Sequence, residues 1–167
     1  MSELVQKEPE GVFAAILKNE DRKTYIEVVK SIQEYFCHGI ESGSLPEAEL
    51  PITNHFAPGV YMRQMDAKEG SWVVSKMHRT EHQNILLKGA VTLITEEGIK
   101  TLYAPAIVKS QAGTKRIGYF HEDSSWLTIH PTNETNVAKL EEDLTVPEED
   151  MHSFLLSIGF LDKEFIA

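Results

Sequence analysis

The sequence predicts a mainly β protein: a single antiparallel β-barrel with one helix before it and shorter helices after it. Six strand-like segments separated by turn residues follow one another between Gly59 and Thr132. Evenly spaced strands without helices between them are typical of antiparallel sandwiches and barrels. Helical spacing of apolar residues appears only outside this stretch, and a chain of 167 residues suits one domain with one core.

These patterns divide the chain into four parts. Residues 1–20 are mixed and polar, and we expect a flexible N-terminus there. In residues 21–58, apolar side chains at steps of three and four predict a helix, and a stretch rich in Pro, Gly and Ser predicts a connecting arm. Residues 59–132 form the predicted barrel. Residues 133–167 form the predicted C-terminal helical segment, in which Thr145-Val146-Pro147-Glu148 indicates a helix start.

Charge and hydropathy exclude several classes of function. The chain has 26 acidic and 16 basic side chains and a formal net charge of −10, which argues against nucleic-acid binding through a basic surface. No apolar run approaches the roughly 18 residues that span a bilayer, and the N-terminus lacks the apolar segment of a signal peptide. We therefore expect no membrane partner and a cytoplasmic location, with which the single cysteine, Cys37, agrees.

A set of regularly spaced residues lies in the predicted barrel. The set comprises Gly70, Lys76, His78, His82 and Gly89, and Arg116 follows Gln111-Ala112-Gly113. This spacing resembles that of the cupin superfamily. The first motif of that family is Gly, five residues, His-x-His, three residues, Glu, six residues, Gly, and its second motif is Pro-x-Gly, two residues, His. The resemblance covers about half of the chain and implies the family's jelly-roll barrel.

The resemblance also implies where a metal ion would bind. Metal-binding cupins hold three histidines and one glutamate at the positions occupied here by Lys76, His78, His82 and Arg116. A guanidinium has no lone pair to donate, and lysine binds a metal only after losing its proton. We therefore expect no cofactor. A divalent metal at His78 and His82, joined by His121 or His130, is the less favoured alternative.

The same residues favour a pocket for an anionic small molecule. Strand alternation places Trp72, Lys76 and His78 on one face, and an aromatic side chain could stack on a ligand ring. The predicted ligand-binding residues are Lys76, His78, His82, Arg116, Trp72, Tyr61 and Phe120. In the competing interpretation, the two cations at the family's metal positions form ion pairs with Glu81, Asp66 or Glu122 and close the mouth of a barrel that binds nothing.

The segment SSWLTIHPTNET, followed by an acidic stretch, resembles small cupin-like proteins encoded by bacteriophages. The predicted function is accordingly non-enzymatic: a phage-type structural or assembly accessory, with phage structural proteins as partners, or a small-ligand-binding protein. The alternatives are a host-interaction protein that sequesters a nucleotide or another phosphorylated small molecule, and a metal-dependent enzyme of the oxygenase or isomerase type. We also expect a homo-oligomer, because exposed strand edges need protection and the arm at residues 44–58 could supply it.

Overall fold

The computed structural model describes residues 22–95 and 97–159, so the predicted flexible segment at residues 1–20 lies outside the described residues. Helix α1 (Arg22–Glu41) follows the apolar periodicity of the sequence, with Tyr25, Ile26 and Val29 fully buried. No helix in these described ranges is long and apolar enough to cross a membrane.

The described residues after α1 form eleven strands, two further helices and a 3₁₀ turn. The strands are β1 (Ile52–Ala57), β2 (Val60–Ala67), β3 (Trp72–Val74), β4 (Met77–His78), β5 (His82–Lys88), β6 (Ala90–Thr95), β7 (Gly98–Tyr103), β8 (Ala106–Ser110), β9 (Ile117–Phe120), β10 (Ser124–His130) and β11 (Thr145–Val146). The helices are α2 (Val137–Leu144) and α3 (Met151–Ser157), and the 3₁₀ turn spans Glu148–Asp150.

The main strands build two antiparallel sheets. The five-stranded sheet has the order β1-β2-β10-β5-β8, and the four-stranded sheet has the order β3-β9-β6-β7. Strands β4 and β11 form a separate short pair. The predictions of a mainly β, antiparallel fold and of helices on both sides of it are therefore confirmed. The β-structure consists of two facing sheets, as in a jelly roll.

Two apolar cores lie on opposite faces of the four-stranded sheet. Between the two sheets, Leu86 of β5 packs with Leu93 of β6 and Phe120 of β9. On the other face, α1 and α3 pack against that sheet through a cluster made up of Tyr25, Val29, Ile94, Ile117, Met151 and Leu155. Helices α1 and α3 therefore do not fill the space between the two sheets. The candidate site lies in that space.

The β-structure begins earlier than predicted. Residues 52–57, assigned from the sequence to the connecting arm, form β1 and pair along their whole length with β2 of the same chain. Pro58 and Gly59, with a φ of +78° at the glycine, make the tight turn between the two strands. Prolines beside a strand indicated a loop, but an edge strand tolerates proline at its ends.

Two local predictions at other positions are wrong. The segment from Gly70 to His78 is two short strands, β3 and β4, because Ser75 and Lys76 interrupt it. Thr145 does not cap a helix: it lies in β11 opposite His78, and α3 starts only at Met151. In each case, pairing with a distant strand outweighs the local signal.

Candidate functional site

A cavity of about 270 Å³ lies between the two sheets, and helix α2 covers one side of it. Strands β2, β5 and β10 provide one wall, and β6 and β9 provide the opposite wall. Polar and aromatic side chains that line it include Tyr61, Arg63, Lys76, His78, His82, Asn84, Ser110, Arg116, Phe120, Trp126, Thr128, His130 and Glu141. Small ligands bind in concave spaces of this kind, where apolar and aromatic side chains surround polar groups that converge on one point.

Three histidines from three different strands meet in this cavity. The ring centroids of His78 and His82 are 4.5 Å apart, those of His82 and His130 are 4.7 Å apart, and those of His78 and His130 are 5.3 Å apart. One ring nitrogen of each lies within 4.8 Å of the others. His82 and His130 are buried, and His78 is partly buried.

The surroundings of this cluster keep its imidazoles neutral at pH 7. Burial, followed by the two neighbouring histidines and Arg63, lowers the pKa of His78 to about 3. Burial and then His82 lower the pKa of His130 to about 4. Burial is also the main cause of the lowered pKa of His82, whose Nδ1 lies 2.9 Å from the Thr80 carbonyl oxygen. A carbonyl only accepts, so Nδ1 carries the proton and Nε2 keeps its lone pair.

Two arginines bring positive charge into the cavity. Arg63, on β2, lies near enough that its charge adds to burial in lowering the pKa of Lys76. Burial lowers the pKa of Arg63 itself, but a guanidinium stays protonated at neutral pH. Arg116 is held by the Ser110 hydroxyl at 2.5 Å and by the Lys109 carbonyl at 3.3 Å.

The predicted pocket residues meet in this cavity with one exception. Tyr61, Lys76, His78, His82, Arg116 and Phe120 all line it. Trp72 does not: its ring packs on Tyr119, with centroids 4.9 Å apart, and on Phe36, 6.1 Å away. Alternation places Trp72 with Val74, whose face carries the helix-side core, and the break at Ser75 resets the alternation before His78.

The competing interpretation, in which ion pairs close the mouth, is wrong about the partner of Lys76. Lys76 pairs with Glu141 of α2, at the rim of the cavity. Glu81 instead pairs with Lys109 at 3.0 Å. Asp66 accepts a hydrogen bond from the Ser125 hydroxyl at 2.5 Å. The charge of Lys76 is thus compensated, which leaves the two arginines as the main source of positive charge.

Arg63 and Asn84 are site residues that the sequence did not indicate. The sequence left His121 and His130 open as the third histidine, and the structure places His130 in the cluster. Arg63 lies opposite Thr128 in the β2–β10 register, so both reach the cavity from adjacent strands. His130 shares a face with Trp126 and Thr128, which alternation on β10 already indicates. His121, the other candidate third ligand, lies elsewhere and its Nε2 is 2.6 Å from the Thr92 hydroxyl.

The family's metal set does not fit these side chains. Arg116 has no lone pair and Lys76 is an ion-paired ammonium. Only His78 and His82 of the four positions offer a neutral nitrogen. The chemistry available at this site is therefore anion binding by guanidinium groups and coordination by imidazoles.

No protein-family model and no curated protein matches this chain. Solved structures that it is similar to include cupin proteins. The EutQ protein of Clostridium difficile is 11% identical over 55% of this chain and 75% of that chain, with a TM-score of 0.45. A cupin-2 domain containing protein from Shewanella frigidimarina is 11% identical over 57% and 92%, with a TM-score of 0.41. KdgF from Halomonas sp. is 15% identical over 54% and 84%, with a TM-score of 0.43.

Proposed function

We propose that this chain is a non-enzymatic binding protein that holds a small anion, a carboxylate or a phosphate, in the cavity between its sheets. The observation that carries this proposal is Arg63. Arg63 lines the cavity, and within the described residues it has neither a hydrogen bond nor an ion pair. A partly desolvated cation without a counter-charge is unfavourable, and an anionic ligand supplies that charge.

The remaining polar groups support an oriented anion. Arg116 is fixed by its bonds to Ser110 and Lys109, so it loses little freedom when a ligand binds. Asn84 is also fixed, because its amide donates to the Val108 carbonyl at 3.1 Å and to the Ser110 hydroxyl at 2.8 Å. Both amide hydrogens of Asn84 are used in these bonds, so Asn84 stiffens the wall and does not donate to a ligand. Arg116 is the preorganised donor, and a donor held on a sheet favours binding.

The size of the cavity favours a small ligand. Pockets for drug-sized molecules have about 300–1,000 Å³, and this cavity has about 270 Å³. A mono- or dicarboxylate or inorganic phosphate is therefore favoured over a nucleotide. The aromatic side chains Tyr61, Phe120 and Trp126 give such a ligand an apolar wall. Within the described residues we find no observation that favours a virion role, so the proposal is confined to binding.

Thermal unfolding with inorganic phosphate, oxalate, succinate and AMP as probes tests this function. A ligand that binds only the folded state raises the melting temperature. We expect at least one of the first three probes to stabilise the wild type. We expect Arg63→Gln to abolish that shift, because it removes the guanidinium and keeps a polar side chain.

Lys100→Gln is the matched control, because it removes one positive charge from an exposed position on β7. We expect it to keep the full shift. The proposal is wrong if no probe stabilises the wild type, or if Arg63→Gln responds as the wild type does. Stabilisation by AMP alone would replace a small anion with a nucleotide as the ligand.

A further inference from the structure

We propose that His78, His82 and His130 bind one divalent transition-metal ion through three imidazole nitrogens at the wall of the cavity. This set differs from the one that the cupin resemblance implies, because His130 occupies none of the motif positions. The site does not depend on the proposed anion binding, although both open into the same cavity.

The spacing of the three rings fits a slightly open metal site. Nitrogen ligands at about 2.0–2.1 Å from a tetrahedral metal lie about 3.4 Å from one another. The three nitrogens here lie within 4.8 Å of one another. We expect small rotations of the side chains about their torsions to close this difference.

Backbone groups already orient two of the rings. His82 donates Nδ1–H to the Thr80 carbonyl, which leaves Nε2 as the nitrogen with a lone pair. A backbone hydrogen bond with Lys76 also acts on the His78 ring, where it opposes the lowering of the pKa by burial. Metal-binding histidines almost always donate their second ring nitrogen to such an acceptor, which fixes both tautomer and orientation.

The third ring, that of His130, has a buried nitrogen without a hydrogen-bond partner among the described residues. His130 is only 2% exposed, and this nitrogen is its Nδ1. Buried polar atoms are nearly always satisfied, so an orphaned imidazole nitrogen beside two oriented imidazoles needs an explanation. Coordination of a metal by the cluster accounts for the convergence of three histidines, two of them buried, at one point.

The scaffold holds the three ligands on strands rather than loops. β5 and β10 are hydrogen-bonded neighbours, and they carry His82 and His130. β4, which carries His78, is tied to β11 and to the Gly113 amide, which donates to the His78 carbonyl at 2.9 Å. Three neutral imidazoles suit Zn²⁺, Co²⁺, Ni²⁺ or Cu²⁺ and not Mg²⁺ or Ca²⁺, which prefer oxygen ligands.

The nearby arginines work against the metal charge. Arg63 and Arg116 lie close enough to contribute to the lowered pKa values of His78 and His82, respectively. A metal held by three neutral ligands beside two cations favours an anionic fourth ligand. The preference for an anionic fourth ligand, unlike the metal site itself, rests on the proposed anion binding.

Titration with Co²⁺ tests this site, with protein made without a polyhistidine tag, stripped with a chelator and kept in buffer free of phosphate and carboxylates. We expect one Co²⁺ per chain with the visible absorption bands of nitrogen-coordinated cobalt. We expect His130→Gln to weaken binding by about tenfold or more. His55→Gln, which changes an exposed histidine on β1, should bind Co²⁺ as the wild type does.

A measurement on the wild type covers the case in which His130→Gln does not fold. Addition of Zn²⁺ should shift the imidazole nitrogen NMR signals of His78, His82 and His130 and leave those of His55 and His121 in place. The inference is overturned if Co²⁺ does not bind stoichiometrically, or if Zn²⁺ shifts other histidines instead. Metal binding without any response to phosphate, oxalate or succinate would remove the proposed function and leave the metal site standing.

Discussion

Gly89 determines how the chain passes from one sheet to the other. It has a φ of +90° and lies between β5 of the five-stranded sheet and β6 of the four-stranded sheet. A Cβ atom there would collide with the Ser124 hydroxyl and would come within 2.8 Å of the Asp123 carbonyl oxygen. Only glycine combines this backbone conformation with so close an approach.

We predict that Gly89→Ala lowers the free energy of unfolding by about 2–4 kcal/mol, the sum of left-handed strain and overpacking. Gly59→Ala is the control: its φ is +78° and nothing lies within 4 Å of the added Cβ, so only about 1–2 kcal/mol of strain is expected. Urea unfolding of both variants measures the difference. Equal losses would show that the approach to Ser124 does not matter.

At the same scale, six of the seven ligand-binding residues predicted from the sequence line the cavity, but the sequence did not indicate Arg63. The family-like spacing indicated His78, His82 and Arg116, because the spacing of a motif is local information in the sequence. Arg63 lies on a strand whose neighbour and register are set by a contact across the sheet, with Thr128 opposite it. The register between β2 and β10 cannot be read from the sequence of either strand alone, so the position of Arg63 in the cavity was not predicted. Trp72 was misplaced because the alternation was extended through a break at Ser75.

At the scale of elements, α1 and the C-terminal segment are fastened to the four-stranded sheet through polar groups as well as apolar ones. The Tyr25 hydroxyl donates to the Lys115 carbonyl at 2.5 Å. Lys115 is only 1% exposed, and its ammonium donates to Glu148 at 2.9 Å and to the Ser75 carbonyl at 3.0 Å. A buried ammonium without its carboxylate is strongly unfavourable.

We predict that Glu148→Gln lowers the free energy of unfolding by about 1–2 kcal/mol, because it removes the counter-charge of a buried cation at a position that is itself half exposed. Glu149→Gln makes the same charge change at the next, exposed residue of the 3₁₀ turn and should stay within about 0.5 kcal/mol of the wild type. Chemical unfolding measures both. A loss of similar size in the two variants would mean that net charge, and not this ion pair, is responsible.

The elements that sequence patterns located well are those with a strong local signal. The apolar periodicity predicted α1 correctly, and the predicted C-terminal helical segment contains the helices Val137–Leu144 and Met151–Ser157. The elements missed were β1 and β11, whose residues become strands only by pairing with β2 and β4. Such pairing depends on the assembled fold.

At the scale of the whole molecule, charge is distributed unevenly. The chain has a net charge of −10, yet the cavity brings together Arg63 and Arg116 with three neutral histidines.

The predicted homo-oligomer stays a prediction. The arm expected to reach a neighbour is partly used as β1 within the chain, while large apolar side chains are exposed at Leu87, Tyr103 and Ile107.

The cavity between the sheets is the centre of the functional proposal, and a crystal structure of the protein grown with oxalate or inorganic phosphate tests it most directly. We predict density for the anion inside the cavity, within hydrogen-bond distance of the Arg63 guanidinium. An anion that stabilises the protein in solution but lies outside the cavity, with Arg63 untouched, would contradict the proposal.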